Sequence, residues 1–112
     1  MILWHNPRCS KSRAALALLT ERGATPTVRR YLDEPPSLDE LCAARAALGG
    51  AVIDMMRPCE PAFRALGLTR DSDDDTLLRA MAAEPKLIER PILFAGGRAA
   101  IGRPPETLLA LL

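Results

Sequence analysis

Residues 2–23 read ILWHNPRCSKSRAALALLTERG, a short apolar run followed by a polar loop and a helical pattern. Residues 2–5 predict a buried strand, because the run is apolar and Asn6-Pro7 stops it. Residues 10–22 carry apolar side chains at helical spacing and end at Gly23, a residue type that commonly terminates helices in the left-handed conformation. The stretch therefore predicts a strand, a loop and a helix in that order.

A second strand is predicted at residues 27–32, TVRRYL, which alternate and are rich in strand-forming side chains. A strand reached through a crossover helix pairs in parallel with the first strand. Pro35-Pro36 then breaks the chain. Ser37 and Glu40 form a capping box for a helix that is apolar at positions 41, 44 and 48 and that stops at Gly49-Gly50.

The remaining pattern predicts two shorter helices, a hairpin and a last helix. The shorter helices span about residues 60–67 and 74–85. The acidic residues at 71, 73, 74 and 75 stabilise the N-terminus of the second helix, and we interpret them as a cap rather than as a metal site. Residues 90–94 and 98–101 flank Ala95-Gly96-Gly97, whose glycines suit a tight turn between antiparallel strands. Residues 106–112 follow as the last helix. This order predicts the α/β class: a thioredoxin-like fold with a mixed four-stranded sheet and a helical insertion at about residues 35–89, between strands 2 and 3.

Length, charge and cysteine content limit the class of protein. A chain of 112 residues is enough for a single domain, residues 1–112. The formal net charge of +1 gives no overall field that would draw the chain to nucleic acid or to a membrane. The first residues do not resemble a signal peptide. The three cysteines cannot all pair and lack metal-ligand spacing, so free thiols in a reducing cytoplasm are expected, with no metal site.

Cys9 is the candidate nucleophile because it lies in the loop before the first helix. Unpaired backbone N–H groups at such a position stabilise a negative charge, as do the neighbouring side chains of Arg8, Lys11 and Arg13. The thiolate is the reactive form of cysteine. Cys42 lies within the capped helix and is predicted to pack there, whereas Cys59 could border the site as a resolving thiol.

Ser12 stands where a dithiol oxidoreductase carries its second cysteine, so a disulfide cannot form within this loop. The second electron pair must come from an external thiol, such as glutathione followed by a glutaredoxin, or from Cys59 or Cys42. His5 is the only histidine. It either packs at the end of the strand, or supports Cys9 as a cation or as a proton acceptor.

The loop resembles the active-site loop of the ArsC-like arsenate reductase family, in which an H-N-P-x-C start and a C-x-x-S-R run recur. Further similarity follows in the same order along nearly the whole chain. The matching segments are residues 5–13 (HNPRCSKSR), 31–36 (YLDEPP), 56–57 (MR) with 60–61 (EP) and 66–68 (LGL), 89–92 (ERPI), and 102–106 (GRPPE).

This resemblance implies a thioredoxin-like fold and assigns roles to several residues. Arg57, Arg90 and Arg103 match the three arginines that bind the oxyanion, and a planar guanidinium suits such a ligand because it bonds two oxygens at once. Pro91 matches the cis proline that faces the loop. The other supporting positions are His5, Asn6, Ser12 and Arg13.

The resemblance also implies a reaction. Cys9 attacks the arsenic of arsenate, water leaves, and glutathione attacks the adduct so that arsenic is reduced and a mixed disulfide forms, which glutaredoxin then clears. The expected partners are arsenate or a similar oxyanion, glutathione as co-substrate and glutaredoxin, with no bound cofactor.

Cys9-Ser10-Lys11-Ser12 differs from the Cys-Gly-Thr-Ser of the well-established arsenate reductases and resembles a sister branch, which leaves the physiological oxyanion open. Two alternatives belong to other classes. One is a glutathione-linked thiol-disulfide carrier, in which the arginines bind glutathione carboxylates. The other is a redox-sensing transcription regulator of the Spx type, against which Ser12 argues because those regulators usually carry Cys-x-x-Cys.

Overall fold

The computed structural model describes all residues from 1 to 112. The chain divides into two compact units, residues 1–34 with 90–112 and residues 35–89. The second unit consists of the residues that the sequence analysis assigns to a helical insertion. That both units belong to one domain stays a prediction. No helix is long and apolar enough to cross a membrane.

The first unit contains a four-stranded mixed sheet in the order β2-β1-β3-β4. β1 pairs in parallel with β2, and β3 pairs in antiparallel fashion with both β1 and β4. The strands are β1 Ile2–Trp4, β2 Thr27–Arg29, β3 Ile92–Ala95 and β4 Arg98–Ile101. The predicted α/β class and strand directions of a thioredoxin-like fold are therefore confirmed.

Three strands are shorter than predicted, and β1 is shorter by one residue because it ends at Trp4. β2 ends at Arg29, whose carbonyl accepts the last bond of the ladder from His5 N–H, because Arg30 then begins a turn that bonds the N–H groups of Asp33 and Glu34. β3 begins at Ile92 because Pro91 has no N–H to donate to a ladder. The predicted hairpin turn is confirmed, with positive φ at the glycines 96 and 97.

Helix α1, Ser10–Glu21, covers one face of this sheet. It buries Ala15 and Leu19 in a cluster with Leu3, Leu93 and Leu108. The predicted last helix is present, spans Pro105–Leu111 and is a 3-10 helix. Three residues per turn place Leu108 and Leu111 on the same side, so both pack against this cluster.

The second unit is helical, and its helices are α2 Leu38–Leu48, α3 Pro61–Ala65 and α4 Asp74–Ala83, with 3-10 turns at Val52–Met55 and Pro85–Leu87. The predicted capping box is confirmed, since Ser37 Oγ accepts from Glu40 N–H and Glu40 Oε1 accepts from Ser37 N–H. The acidic run also acts as a cap, because Asp73 Oδ1 accepts from Thr76 N–H at 2.7 Å.

The prediction that Cys42 packs inside was wrong. The buried side chains of α2 are Leu41 and Ala44, which lie three positions apart on one face of the helix. Cys42 is one position beyond Leu41, about 100° around the helix, and is exposed.

Candidate active site

Cys9 is the residue that caps the N-terminus of α1. Its backbone is extended, with φ −94° and ψ 123°, and its carbonyl accepts the first helical bond from Arg13 N–H at 3.0 Å. The side chain makes no capping hydrogen bond and the thiol is free and half-buried. The sulfur therefore lies beside the first turn of a helix, where backbone amides favour negative charge.

The loop that leads to Cys9 is fixed by its own hydrogen bonds. Cys9 N–H donates to the Asn6 carbonyl and Arg8 N–H donates to Asn6 Oδ1, both at 3.0 Å. Arg13 reaches back from α1, where its Nη1 donates to the Pro7 carbonyl at 3.0 Å. These contacts give Asn6 and Arg13 a structural role in holding the loop and, with it, the thiol.

Ser12 is fully buried and joins the loop to the end of β1. Its Oγ lies 2.7 Å from Nδ1 of the buried His5 and accepts a hydrogen bond from Asn6 N–H at 3.1 Å. Burial lowers the pKa of His5, and the charges of Arg30 and Arg13 lower it further. A neutral ring can accept the Ser12 hydroxyl proton on Nδ1. The lowered pKa disfavours a His5 cation, the observed ring contact is the one with Ser12, and a supporting role of His5 towards Cys9 stays a prediction.

Arg103 meets Cys9 although the two residues are far apart in the chain. Arg103 Nη2 donates to Cys9 Sγ at 3.8 Å, while Arg103 Nε donates to the Arg90 carbonyl at 2.9 Å. The second contact directs the guanidinium toward the sulfur. The structure thus brings Cys9, Arg103 and the Arg90 backbone together, and the peptide bond between Arg90 and Pro91 is cis, as the resemblance implied.

Gly102 permits the close packing behind Arg103. Its N–H donates to the Pro91 carbonyl at 2.9 Å. A Cβ at this position would lie 2.8 Å from Pro91 Cγ and 3.0 Å from Leu108 Cδ1, distances shorter than ordinary van der Waals contact. Only glycine therefore fits between Pro91 and Leu108 at the residue that precedes Arg103.

Arg57 belongs to the second unit, where two carboxylates surround its guanidinium. Nη1 donates to Glu60 Oε1 at 2.7 Å, and Nε lies 3.8 Å from Glu89 Oε1. Burial lowers the pKa of Arg57, but the hydrogen bond to Glu60 and the charges of Glu60, Glu89 and Cys59 outweigh it, so the pKa is raised.

Cys59 is exposed in the same unit, in an open hollow lined by residues 58–61 together with Arg64 and Ala65. No group of three or more His, Cys, Asp or Glu side chains is arranged to hold a metal ion.

Sequence reasoning missed three residues around the arginines: Gly102, Glu60 and Glu89. A signal for Gly102 was present, since it directly precedes Arg103 within a matching segment. Glu60 also lay in a matching segment, three positions after Arg57. Glu89 lay beside Arg90, and nothing in the sequence linked it to Arg57.

The model of the ArsC family matches residues 4–111 of the chain. The chain belongs to the ArsC family. Among its relatives, the arsenate reductase of Neisseria meningitidis serogroup A is 51% identical, over 98% of this chain and 96% of that protein. The arsenate reductase of Haemophilus influenzae is 42% identical, over 100% of this chain and 98% of that protein.

A solved structure supports the same placement within the ArsC family. The arsenate reductase from Vibrio cholerae superposes with a TM-score of 0.95 at 47% identity, covering 99% of this chain and 96% of that one. The family and the thioredoxin-like fold expected from the sequence are both confirmed.

Proposed function

We propose that this ArsC-family protein is a thiol-dependent arsenate reductase whose nucleophile is Cys9. The observation that carries the proposal is the position of the Cys9 sulfur, beside the first turn of α1 and 3.8 Å from Arg103 Nη2. The substrate is proposed from relatives that are named arsenate reductase and are similar over nearly the whole chain.

The arrangement suits both the nucleophile and an oxyanion. Backbone amides at a helix N-terminus favour a thiolate and bind anions, and both effects act at the same place. A guanidinium is always charged and offers paired N–H groups to the oxygens of a tetrahedral anion. Arg103 is therefore proposed to hold arsenate while Cys9 attacks it.

The reaction is proposed to proceed in two steps. The Cys9 thiolate forms a bond to the arsenic of arsenate, and one oxygen leaves as water. Glutathione thiolate then attacks Cys9 Sγ, the sulfur–arsenic bond breaks, and its electron pair reduces arsenic from the +5 to the +3 state. The two sulfurs remain joined as a mixed disulfide.

Ser12 explains why an external reductant is proposed. It takes the place of a second loop cysteine and is buried in hydrogen bonds with His5 and Asn6, so this loop has no second thiol that could attack Cys9 Sγ in the arsenic adduct. We therefore propose glutathione as the co-substrate and a glutaredoxin that removes it from Cys9. Both act in a reducing compartment, and the proposed location is the cytoplasm. Cys59 or Cys42 remains the internal alternative.

Arg90 and Arg57 are proposed as the other two oxyanion ligands on the basis of the family resemblance. Arg90 is half-buried, and its carbonyl accepts from Arg103 Nε, so its backbone also positions another of the proposed ligands. The role of Arg57 is proposed from its matching sequence context.

The test is a coupled assay with arsenate, glutathione, glutaredoxin, glutathione reductase and NADPH, run beside the Cys9→Ser variant. Arsenate-dependent NADPH oxidation is expected from the wild type only, and it should stop when glutaredoxin is left out. Reduction of a mixed-disulfide substrate without any arsenate-dependent oxidation would reject the reductase in favour of a thiol-disulfide carrier.

A further inference from the structure

The backbone of the second unit places Arg57 and Glu89 side by side. Met56 and Ile88 form an isolated antiparallel bridge, flanked by hydrogen bonds from Arg57 N–H to the Leu87 carbonyl at 2.8 Å and from Glu89 N–H to the Met55 carbonyl at 2.7 Å. In such a pairing Arg57 lies opposite Leu87, and Glu89 is its diagonal neighbour on the same face, within reach of a long side chain. Both bridge residues are buried, so this backbone has little freedom to move.

Glu60 reaches Arg57 from a different direction. Its N–H donates to the Arg57 carbonyl at 3.0 Å and closes a tight turn, and its carbonyl accepts from Phe63 N–H at 3.0 Å in the first turn of α3. Phe63 is buried and anchors this short helix. The Glu60 backbone is thus fixed on both sides of the carboxylate that bonds Arg57 Nη1.

The two carboxylates approach two different nitrogens of the same guanidinium, Glu60 in a hydrogen bond at 2.7 Å and Glu89 in an ion pair at 3.8 Å. Glu60 engages Nη1 and Glu89 lies nearest Nε, whereas Nη2 takes part in neither ion pair. The three side chains are 21–23% exposed, so water screens these pairs and their contribution to stability is modest. Their main effect is on orientation, because a hydrogen bond at Nη1 and an opposite charge near Nε together restrict the position and the plane of the group.

We infer that Glu60 and Glu89 are positioning residues that hold the Arg57 guanidinium in one orientation and leave Nη2 to bind an oxyanion. This inference rests on the proposed function, in which Arg57 is an oxyanion ligand, and it concerns only how Arg57 is held within residues 35–89. Binding an anion with an arginine that is already ordered avoids the entropy lost when a long side chain is immobilised.

The kinetic test compares Glu60→Ala, Glu60→Gln and a control, Asp75→Ala. Asp75 bonds Arg79 Nε at 2.8 Å in an exposed pair of the same unit, so its removal also takes away one carboxylate from an arginine. Glu60→Ala should raise the KM for arsenate by roughly 2- to 10-fold, the factor expected for ordering one long side chain, with kcat nearly unchanged. Glu60→Gln should restore most of the KM, because the amide oxygen still accepts from Nη1.

A KM in Glu60→Ala equal to that of Asp75→Ala would overturn the inference. A Gln variant as impaired as the Ala variant would also overturn it, since charge and not position would then be responsible. A merely structural role would instead lower the unfolding temperature and kcat and leave KM unchanged.

A second measurement does not depend on turnover. Nitrogen-15 relaxation of the Arg57 Nε–H group should show faster motion in Glu60→Ala and in Glu89→Ala than in the wild type or in Asp75→Ala. Unchanged motion of Arg57 in these variants contradicts the inference, whether or not arsenate turnover changes. Absence of arsenate turnover by the wild type, with faster Arg57 motion in the variants, contradicts the proposed function and leaves the positioning of Arg57 supported.

Discussion

Arg103 Nη2 donates a hydrogen bond to Cys9 Sγ at 3.8 Å across 94 residues of sequence, while its Nε is held by the Arg90 carbonyl. The sulfur thus faces a guanidinium whose direction is set by backbone. If this contact serves catalysis, Arg103→Ala should lower kcat/KM for arsenate by about 100-fold, the usual cost of one preorganised donor. Steady-state kinetics would measure this, with Arg98→Ala, in the exposed start of β4, as the control. Equal kcat/KM values in the two variants would show that Arg103 takes no part in the reaction.

The three cysteines should differ sharply in their contribution to arsenate turnover. Cys9→Ser should reduce arsenate turnover to the background without protein, because a hydroxyl is not an effective nucleophile here. Cys42→Ser should keep nearly full activity, since Cys42 is exposed on α2 and forms no disulfide. The coupled assay measures both, and Cys59→Ser in the same series tests the internal alternative. Loss of turnover in Cys59→Ser, with Cys9 still forming its first adduct, would point to Cys59 as the resolving thiol.

Gly102→Ala should destabilise the fold as well as the site. The new methyl group would lie 2.8 Å from Pro91 Cγ, and such overpacking typically costs about 1–3 kcal/mol in the free energy of unfolding. Urea unfolding measures the change. Gly50→Ala is the matched control, because its Cβ would meet only Asp54 Oδ2 at an ordinary 3.7 Å. Similar losses in the two variants would show that the close approach to Pro91 is not responsible.

The buried histidine should make stability depend on pH in mildly acidic solution. Because the pKa of His5 is lowered in the folded state, the unfolded chain binds a proton first as the pH falls. Stability is therefore complete above the ordinary histidine pKa and declines as the pH falls from there toward the lowered value. Thermal unfolding between about pH 5 and 7.5, where histidine is the side chain that normally titrates, measures this decline.

His5→Gln is the control for this dependence, since His5 is the only histidine in the chain. The variant should lose most of the slope of unfolding temperature against pH in that range. A slope as steep as that of the wild type would assign the effect to other groups.

The parts of the fold that depend on local signals were predictable. The capping box at Ser37 and the two glycines of the hairpin act over a few residues, and both were read correctly. The end of β2 was misjudged because the alternating pattern continues to Leu32, whereas the turn at Arg30 is set by backbone bonds. The last helix was predicted without a type, and the structure shows a 3-10 helix whose Leu108 and Leu111 pack with the cluster under α1.

The candidate site was predictable only in part for a related reason. The position of Cys9 follows from the adjacent strand and helix, so it could be inferred from the sequence. The contact of Arg103 with Cys9 depends on how β4 lies in the sheet, and only the family resemblance indicated it. The pairing of Arg57 with Glu89 depends on a single bridge between Met56 and Ile88, for which the sequence carries no pattern.

The strand order has a consequence for how the protein is made. β1 lies between β2 and β3, and β3 does not begin until Ile92. During synthesis from the N-terminus, one edge of β1 therefore stays open until nearly the whole chain has left the ribosome. For that period the nascent polypeptide carries a cysteine in its loop before the arginine that meets it has been translated, so the thiol is made before its hydrogen-bond partner exists.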